Sequence, residues 1–313
     1  MPGAINVVNI ALMAIAAVPA FFWPFESFIF AYAFVGPLHY LTEISWLHDR
    51  RYFATGRADA WLLVAATGLL TIWYFRPVGG RVDWTAAIVA VAFATAAGLT
   101  FLRSWRGKLI VAAGAFAVAA PLCLNALGAN LVVRLIPTIV HVFVFTGAFI
   151  LFGALKQRSA SGLLSFAVFV AVATLLLAWR PSAEGYVLSP ETFEHAQGVR
   201  PTHAILTGLF GIDRHWDGAV ALMRFLAWAY VYHYLNWFSK TKVIGWHEIS
   251  KARAAAIFVL YAGAIAIYLR DWRVGLDVLF FLSLLHVLLE FPLNHQSFVG
   301  IARELRSVRG SSE

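Results

Sequence analysis

The sequence predicts an all-α fold, a polytopic transmembrane helical bundle of about ten spans, and three observations support this prediction. Of the 313 residues, 61% are hydrophobic and only 13% are charged, whereas soluble domains carry about 25% charged residues. The mean hydropathy is +0.76, and the apolar runs are long enough to cross a bilayer. These runs lack the two-residue alternation of a β-barrel, which leaves helices as the spanning elements.

Ten apolar segments are predicted to span the membrane, and residues 1–313 are predicted to form a single transmembrane domain. Their approximate bounds are residues 5–22, 28–46, 60–75, 84–102, 109–126, 132–155, 162–179, 218–238, 254–269 and 275–292. Residues 300–313 are predicted to form a short basic cytoplasmic tail.

The charge distribution predicts the orientation of the spans. With ten spans, 15 of the 24 lysines and arginines fall on the side that holds both termini. Cytoplasmic loops carry an excess of Lys and Arg, so both termini are expected to be cytoplasmic. The net charge of +8 is therefore attributed to membrane loops rather than to nucleic-acid binding. We expect an integral protein of a bacterial inner membrane.

Residues 180–217 interrupt the rhythm of short loops and are predicted to form an outer-side loop or cap. Ser189, Pro190 and Glu191 have the character of a helix start: a capping hydroxyl, a proline in the first turn and an acid near the positive helix end. Long loops with their own structure often serve as lids or covers.

One pattern, H-x3-E-x4-H, occurs once near each end of the chain. The first copy consists of His39, Glu43 and His48, and the second of His286, Glu290 and His295. Residues four apart share a helix face, so each glutamate projects with the histidine before it. An ionisable group within a membrane span is costly and indicates a functional site.

These residues predict a metal site that uses nitrogen and oxygen ligands, because the single cysteine, Cys123, excludes a thiolate-rich site. The expected ligands are His39, Glu43, His48, His141, His233, His286, Glu290 and His295. Glu43 and Glu290 are also the expected catalytic residues. The final histidine of each motif can join the site only if its helix ends or bends, and Pro292 is predicted to break the second helix. Asn236 and Asn294 lie close to these histidines in sequence and could orient a ligand.

Iron, in a mononuclear or dinuclear centre, is the expected cofactor, and another transition metal that binds His and Glu is the alternative. We expect a membrane-bound, metal-dependent oxidoreductase, similar to an oxygenase, that hydroxylates, desaturates or oxidatively cleaves a hydrophobic, lipid-like substrate. The chemistry resembles that of membrane-bound histidine-rich oxygenases such as alkane hydroxylases and fatty-acid desaturases. Their H-x3–4-H and H-x2-H-H boxes are absent, so no family is assigned. An acidic redox partner is expected at the basic loops that contain Arg50, Arg51, Lys240 and Lys242.

Two other functions remain open from the sequence. A b-type haem protein for electron transfer would use histidines from facing helices as axial ligands, but it would leave the glutamates unexplained. A proton-coupled transporter would use Glu43 and Glu290 as a relay. A purely structural role is a further alternative, because lone intramembrane histidines commonly form interhelical hydrogen bonds.

Overall fold

The computed structural model describes residues 2–75, 84–212 and 215–310, and within these ranges the secondary structure is helical, with no strand. The α-helices in chain order are α1 (Pro2–Phe22), α2 (Pro24–Phe30), α3 (Gly36–Asp49), α4 (Ala60–Phe75), α5 (Trp84–Phe101), α6 (Trp105–Cys123), α7 (Ala126–Arg134), α8 (Thr146–Lys156), α9 (Ala160–Ala178), α10 (Pro190–His195), α11 (Arg200–Leu209), α12 (Trp216–Ser239), α13 (Thr241–Ile244), α14 (Lys251–Arg270) and α15 (Trp272–Gly310). The predicted all-α fold class is confirmed.

Several of the described helices are long and apolar enough to cross a bilayer, which indicates a membrane protein. The six candidate spans are Gly3–Phe22, Trp84–Phe101, Leu131–Lys156, Ala160–Ala178, Lys251–Arg270 and Trp272–Ser307. The predicted span at 60–75 is a shorter apolar helix, Ala60–Phe75. The predicted total of ten spans and the cytoplasmic termini stay predictions.

The chain divides into two compact units, each assembled from distant parts of the sequence. The first unit draws on Met1–His39, Val142–Gly245 and Arg303–Glu313, and the second on Tyr40–His141 and Trp246–Ala302. The prediction of one transmembrane domain over residues 1–313 stays a prediction.

Helix α12 forms the centre of the first unit and packs against α1, α2, α9 and α11. Apolar and aromatic residues cover its whole circumference, which is the pattern of a helix buried on all sides. Trp228, Tyr232 and Tyr234 are among the largest fully buried side chains described. His233 therefore lies on a helix that is held on several faces.

In the second unit, α5 packs against α4, α6 and α7. Small residues permit this close approach, as is common between helices in membranes. A Cβ atom added at Gly98 would lie 3.3 Å from Cβ of Val111, so α5 and α6 are packed closely there. A largely buried ion pair, with Lys108 Nζ 2.6 Å from Asp59 Oδ2, ties the start of α6 to the loop before α4.

The helices near the motif histidines contain two π-helical segments, Ala31–Val35 before α3 and Leu135–Phe145 before α8. The first lies just before His39, and the second contains His141. Wide turns of this kind often occur at functional sites because they change the direction of a side chain.

The break predicted at Pro292 is wrong, because α15 continues through it from Trp272 to Gly310. Membrane helices tolerate proline where neighbouring groups satisfy the freed backbone.

The connection between α9 and α12 has its own helical structure. Ser189 caps α10 by accepting a hydrogen bond from the Thr192 backbone N–H at 3.0 Å, and Pro190 occupies the first turn. The predicted helix start is therefore confirmed. A 3₁₀ turn, Ala196–Val199, joins α10 to α11, and α11 packs against α12.

Candidate metal centre

Six of the eight predicted ligands are buried, with exposed fractions between 1% and 8%. They are His39, Glu43, His141, His233, His286 and Glu290. Burying six ionisable side chains requires that each has a hydrogen-bonding, ionic or metal partner. The contacts within each unit show how the protein meets this requirement.

In the second unit, two imidazoles from α15 and the π-helical segment before α8 face each other. Nε2 of His141 lies 3.1 Å from Nε2 of His286, and the rings are nearly perpendicular, at 79°. The Tyr40 ring stacks on His286 with centroids 4.1 Å apart and fixes the orientation of that imidazole. The two nitrogens are within hydrogen-bonding distance of each other, and the tautomers decide which of them donates.

Glu290 holds the other side of His141. Its Oε2 lies 3.0 Å from Nδ1 of His141. A carboxylate at this distance favours a proton on Nδ1, which would leave Nε2 with a lone pair for a metal ion. Metal-binding histidines have this arrangement, with the carboxylate orienting the ring and raising its basicity.

A second carboxyl group adjoins Glu290. The carboxyl group of Glu43 lies beside that of Glu290 and interacts with it. Asn294 Nδ2 also donates to Glu290 Oε2 at 3.4 Å, one helical turn after it. Two carboxyl groups in an apolar interior need a cation or a proton between them. A metal ion beside this pair would meet that need.

The first unit contains a similar pair. Nε2 of His39 lies 3.1 Å from Nε2 of His233, and the rings meet at 76°. Thr146 Oγ1 lies 2.8 Å from Nδ1 of His233 and can accept the proton at that position. Tyr234 and Trp237 enclose His39 with ring centroids 4.9 and 5.5 Å away. Here a hydroxyl occupies the position that a carboxylate takes beside His141.

Both separations suit two ligands of one metal ion. A metal bound to imidazole nitrogens at about 2.0–2.1 Å places adjacent nitrogens about 2.9 Å apart at a right angle and about 3.4 Å apart at the tetrahedral angle. The observed 3.1 Å falls between these values. Three of the buried histidines, His39, His141 and His286, have ring nitrogens that could ligate a metal ion.

The last histidine of each motif does not join these contacts. His48 is exposed, and its Nδ1 lies 3.1 Å from the Tyr52 hydroxyl. His295 is half-buried, and its Nε2 donates to the Phe93 carbonyl at 2.8 Å. Because α15 does not break at Pro292, His295 stays on the face that its helix position dictates. A ligand role for His48 and His295 stays a prediction.

The sequence did not single out Thr146 and Tyr40, which position the imidazoles. Both are polar residues within apolar runs, and such residues commonly hydrogen-bond between membrane helices. Their polarity within an apolar run was the feature of the sequence that could have identified them. Asn294, selected for its place beside His295, instead contacts Glu290. The Asn236 side chain is buried, and its Oδ1 has no hydrogen-bond partner among the described residues.

Comparison with known proteins gave no match, whether to a family model, to a curated protein or to a solved structure.

Proposed function

We propose that this protein is an integral-membrane metalloenzyme that oxidises a hydrophobic substrate, with a metal centre built on His141, His286, Glu290 and Glu43. The observation that carries the proposal is the close approach of two buried imidazole Nε2 atoms, 3.1 Å apart, with a carboxylate 3.0 Å from the far nitrogen of one ring. The pair of His39 and His233 provides a second position of the same geometry. One metal ion at each histidine pair would give a maximum of two metal ions per chain.

The ligand chemistry supports a first-row transition metal. Neutral imidazoles and carboxylates without thiolate suit iron, manganese, copper or zinc better than calcium or magnesium. Iron is our first choice because it supplies oxygen activation at centres of this ligand class. Glu43 and Glu290 are adjacent carboxyl groups, so either could hold or release a proton beside a bound ion. The choice of an oxidative reaction follows from analogy with histidine-rich membrane oxygenases.

The apolar surroundings of the centre favour a lipid-like substrate. Leu288, Leu289 and Phe291, the neighbours of Glu290 along α15, are almost completely buried. A dry, apolar site strengthens electrostatic interactions at a bound ion and excludes water from the reaction.

Hydroxylation also requires a reductant. Inserting one oxygen atom of O₂ into a C–H bond consumes two electrons and two protons and releases one water. We propose that an acidic redox protein supplies the electrons at the exposed basic loop that contains Arg50 and Arg51. Lys240, at the end of α12, is partly buried, and the side chain of Lys242 lies outside the described ones.

The haem alternative fits the geometry less well. Two axial histidines lie on opposite sides of the iron, with their nitrogens about 4 Å apart if each bond is about 2.0 Å. The 3.1 Å separations suit adjacent ligands instead. A visible spectrum of purified protein decides this point, because a Soret band would support haem and overturn our ligand assignment.

The proposal is tested by elemental analysis of protein purified in mild detergent, together with single variants of the ligands. We expect about one or two transition-metal ions per chain in the wild type, and a loss of at least half of them in His286→Ala. Glu43→Ala and Glu290→Ala should each lower the metal content. A matched control is His247→Ala, since His247 is exposed in a loop, and this variant should keep its metal.

Activity provides the second part of the test. Reconstituted protein is supplied with a chemical reductant, O₂ and a panel of fatty acids, alkanes and isoprenoids, and oxygen uptake is compared before and after chelation. Uptake that depends on metal and substrate supports the proposal. Protein that remains metal-free but carries protons across proteoliposomes would favour the transporter alternative instead.

A further inference from the structure

A cavity of about 370 Å³ opens between α2, α10, α11 and the start of α12, all within the first unit. Its size is within the range of ligand sites for small molecules. The wall is formed mainly by apolar and aromatic side chains, among them Phe25, Phe193 and Trp216. Phe25 is buried and stacks on Trp216 with ring centroids 6.1 Å apart. This wall is ordered by packing and suits an apolar chain.

The deeper polar groups of the cavity satisfy one another. His203 Nε2 donates to the Ala219 carbonyl at 2.9 Å. The Thr207 hydroxyl donates to the His203 carbonyl at 2.7 Å. Burial lowers the pKa of His203, so this imidazole is neutral at physiological pH. The inner part of the cavity therefore presents little charge to a ligand.

Arg200 is the only charged residue among the described lining residues, and it is exposed at the first turn of α11. Its Nη1 donates to Gln197 Oε1 at 2.7 Å, which holds the guanidinium in place and leaves four of its five N–H donors for another partner. A guanidinium binds a carboxylate with two parallel hydrogen bonds. The cavity thus combines an apolar interior with a single positive group.

We propose that this cavity binds an anionic amphiphile, a long-chain carboxylate whose head group contacts Arg200 and whose chain lies against Phe25, Phe193 and Trp216. This site uses none of the histidines proposed as metal ligands and does not depend on the proposed metal centre.

The site is tested with full-length protein in nanodiscs of zwitterionic phosphatidylcholine. The fluorescent fatty acid cis-parinarate is titrated in, and then displaced by oleate or by the uncharged oleyl alcohol. We expect saturable binding, with oleate displacing the probe about two- to fivefold more effectively than oleyl alcohol, as for an exposed ion pair. Metal-free protein should bind the probe equally well, which separates this site from the metal centre.

Two variants and a control make the test specific. Arg200→Gln should weaken the binding of oleate to the level of oleyl alcohol. The control is Arg180→Gln, which replaces an exposed arginine on the same connection and should leave oleate binding unchanged. Ala204→Trp places an indole in the cavity. This variant should bind neither the probe nor the two competing ligands, and its melting temperature should not fall. Equal binding of oleate and oleyl alcohol would overturn the proposal. Binding of the probe to Ala204→Trp would also overturn it. A third contradicting result would be phosphatidylglycerol that copurifies with the protein and that oleate does not displace.

Discussion

Glu290→Gln should weaken metal binding without unfolding the protein. The wild-type carboxylate makes three contacts: Nδ1 of His141 at 3.0 Å, Nδ2 of Asn294 at 3.4 Å and the Glu43 carboxyl group. Glutamine has nearly the same size and keeps one oxygen acceptor, so it can still accept from His141. It loses the negative charge that makes the imidazole a stronger ligand and that balances a bound cation.

The expected loss follows from this change. Replacing the carboxylate that orients a metal-binding histidine costs about 10- to 100-fold in metal affinity, which corresponds to about 1.4–2.7 kcal/mol. If Glu290 also binds the ion through its other oxygen, the loss will exceed 100-fold. The size of the effect therefore separates an orienting role from direct ligation.

The assay is a competition titration of chelator-treated protein, in which a coloured chelator reports free Fe²⁺ or Zn²⁺ at constant pH. A matched control is Glu304→Gln, on the same helix but outside the buried cluster and partly exposed, which should bind like the wild type. Thermal unfolding of the metal-free variants checks that both are folded. Wild-type affinity in folded Glu290→Gln would refute the reasoning.

Three further predictions concern other parts of the chain. Thr146→Val removes the hydroxyl beside His233, and we expect about tenfold weaker binding of one ion, seen as a shifted step in the same titration. Ser189→Ala removes the cap of α10 and should cost about 1 kcal/mol locally, measured as faster amide exchange over residues 191–195; unchanged exchange would contradict this. Burial lowers the pKa of Lys240 to about 8, and the unfolded lysine titrates near about 10.4. The unfolded chain therefore binds more protons between these pH values, and stability rises with pH there. Lys240→Met should abolish this rise in thermal unfolding, and a persisting rise would show that another group causes it.

Much of the fold could be predicted from composition and run length, because the cost of exposing a backbone to lipid leaves few choices. The bounds predicted for the span at 60–75 coincide with α4 (Ala60–Phe75), and those for 84–102 agree with α5 to one residue. The two π-helical segments were not predicted, since no hydrophobic period distinguishes them from α-helix over so few residues.

The sequence singled out the buried histidines and glutamates, but it did not predict which of them contact one another. Burial of Glu43 and Glu290 follows from their place in apolar runs, and helix geometry brings each near the histidine one turn earlier. The contacts between His141 and His286, and between His39 and His233, join residues 145 and 194 positions apart. Such contacts depend on tertiary packing, which a single sequence does not specify. The continuation of α15 past Pro292 was missed for a local reason, because proline in a membrane helix was taken as a break.

X-ray absorption at the edge of the bound metal tests the central claim most directly. We predict a first shell of nitrogen and oxygen atoms at about 2.0–2.2 Å from the metal. The outer-shell scattering should correspond to at least two imidazoles, and this imidazole scattering should be weaker in His286→Ala. A first shell that contains sulfur, a spectrum without imidazole scattering, or purified protein with no bound metal would contradict the account.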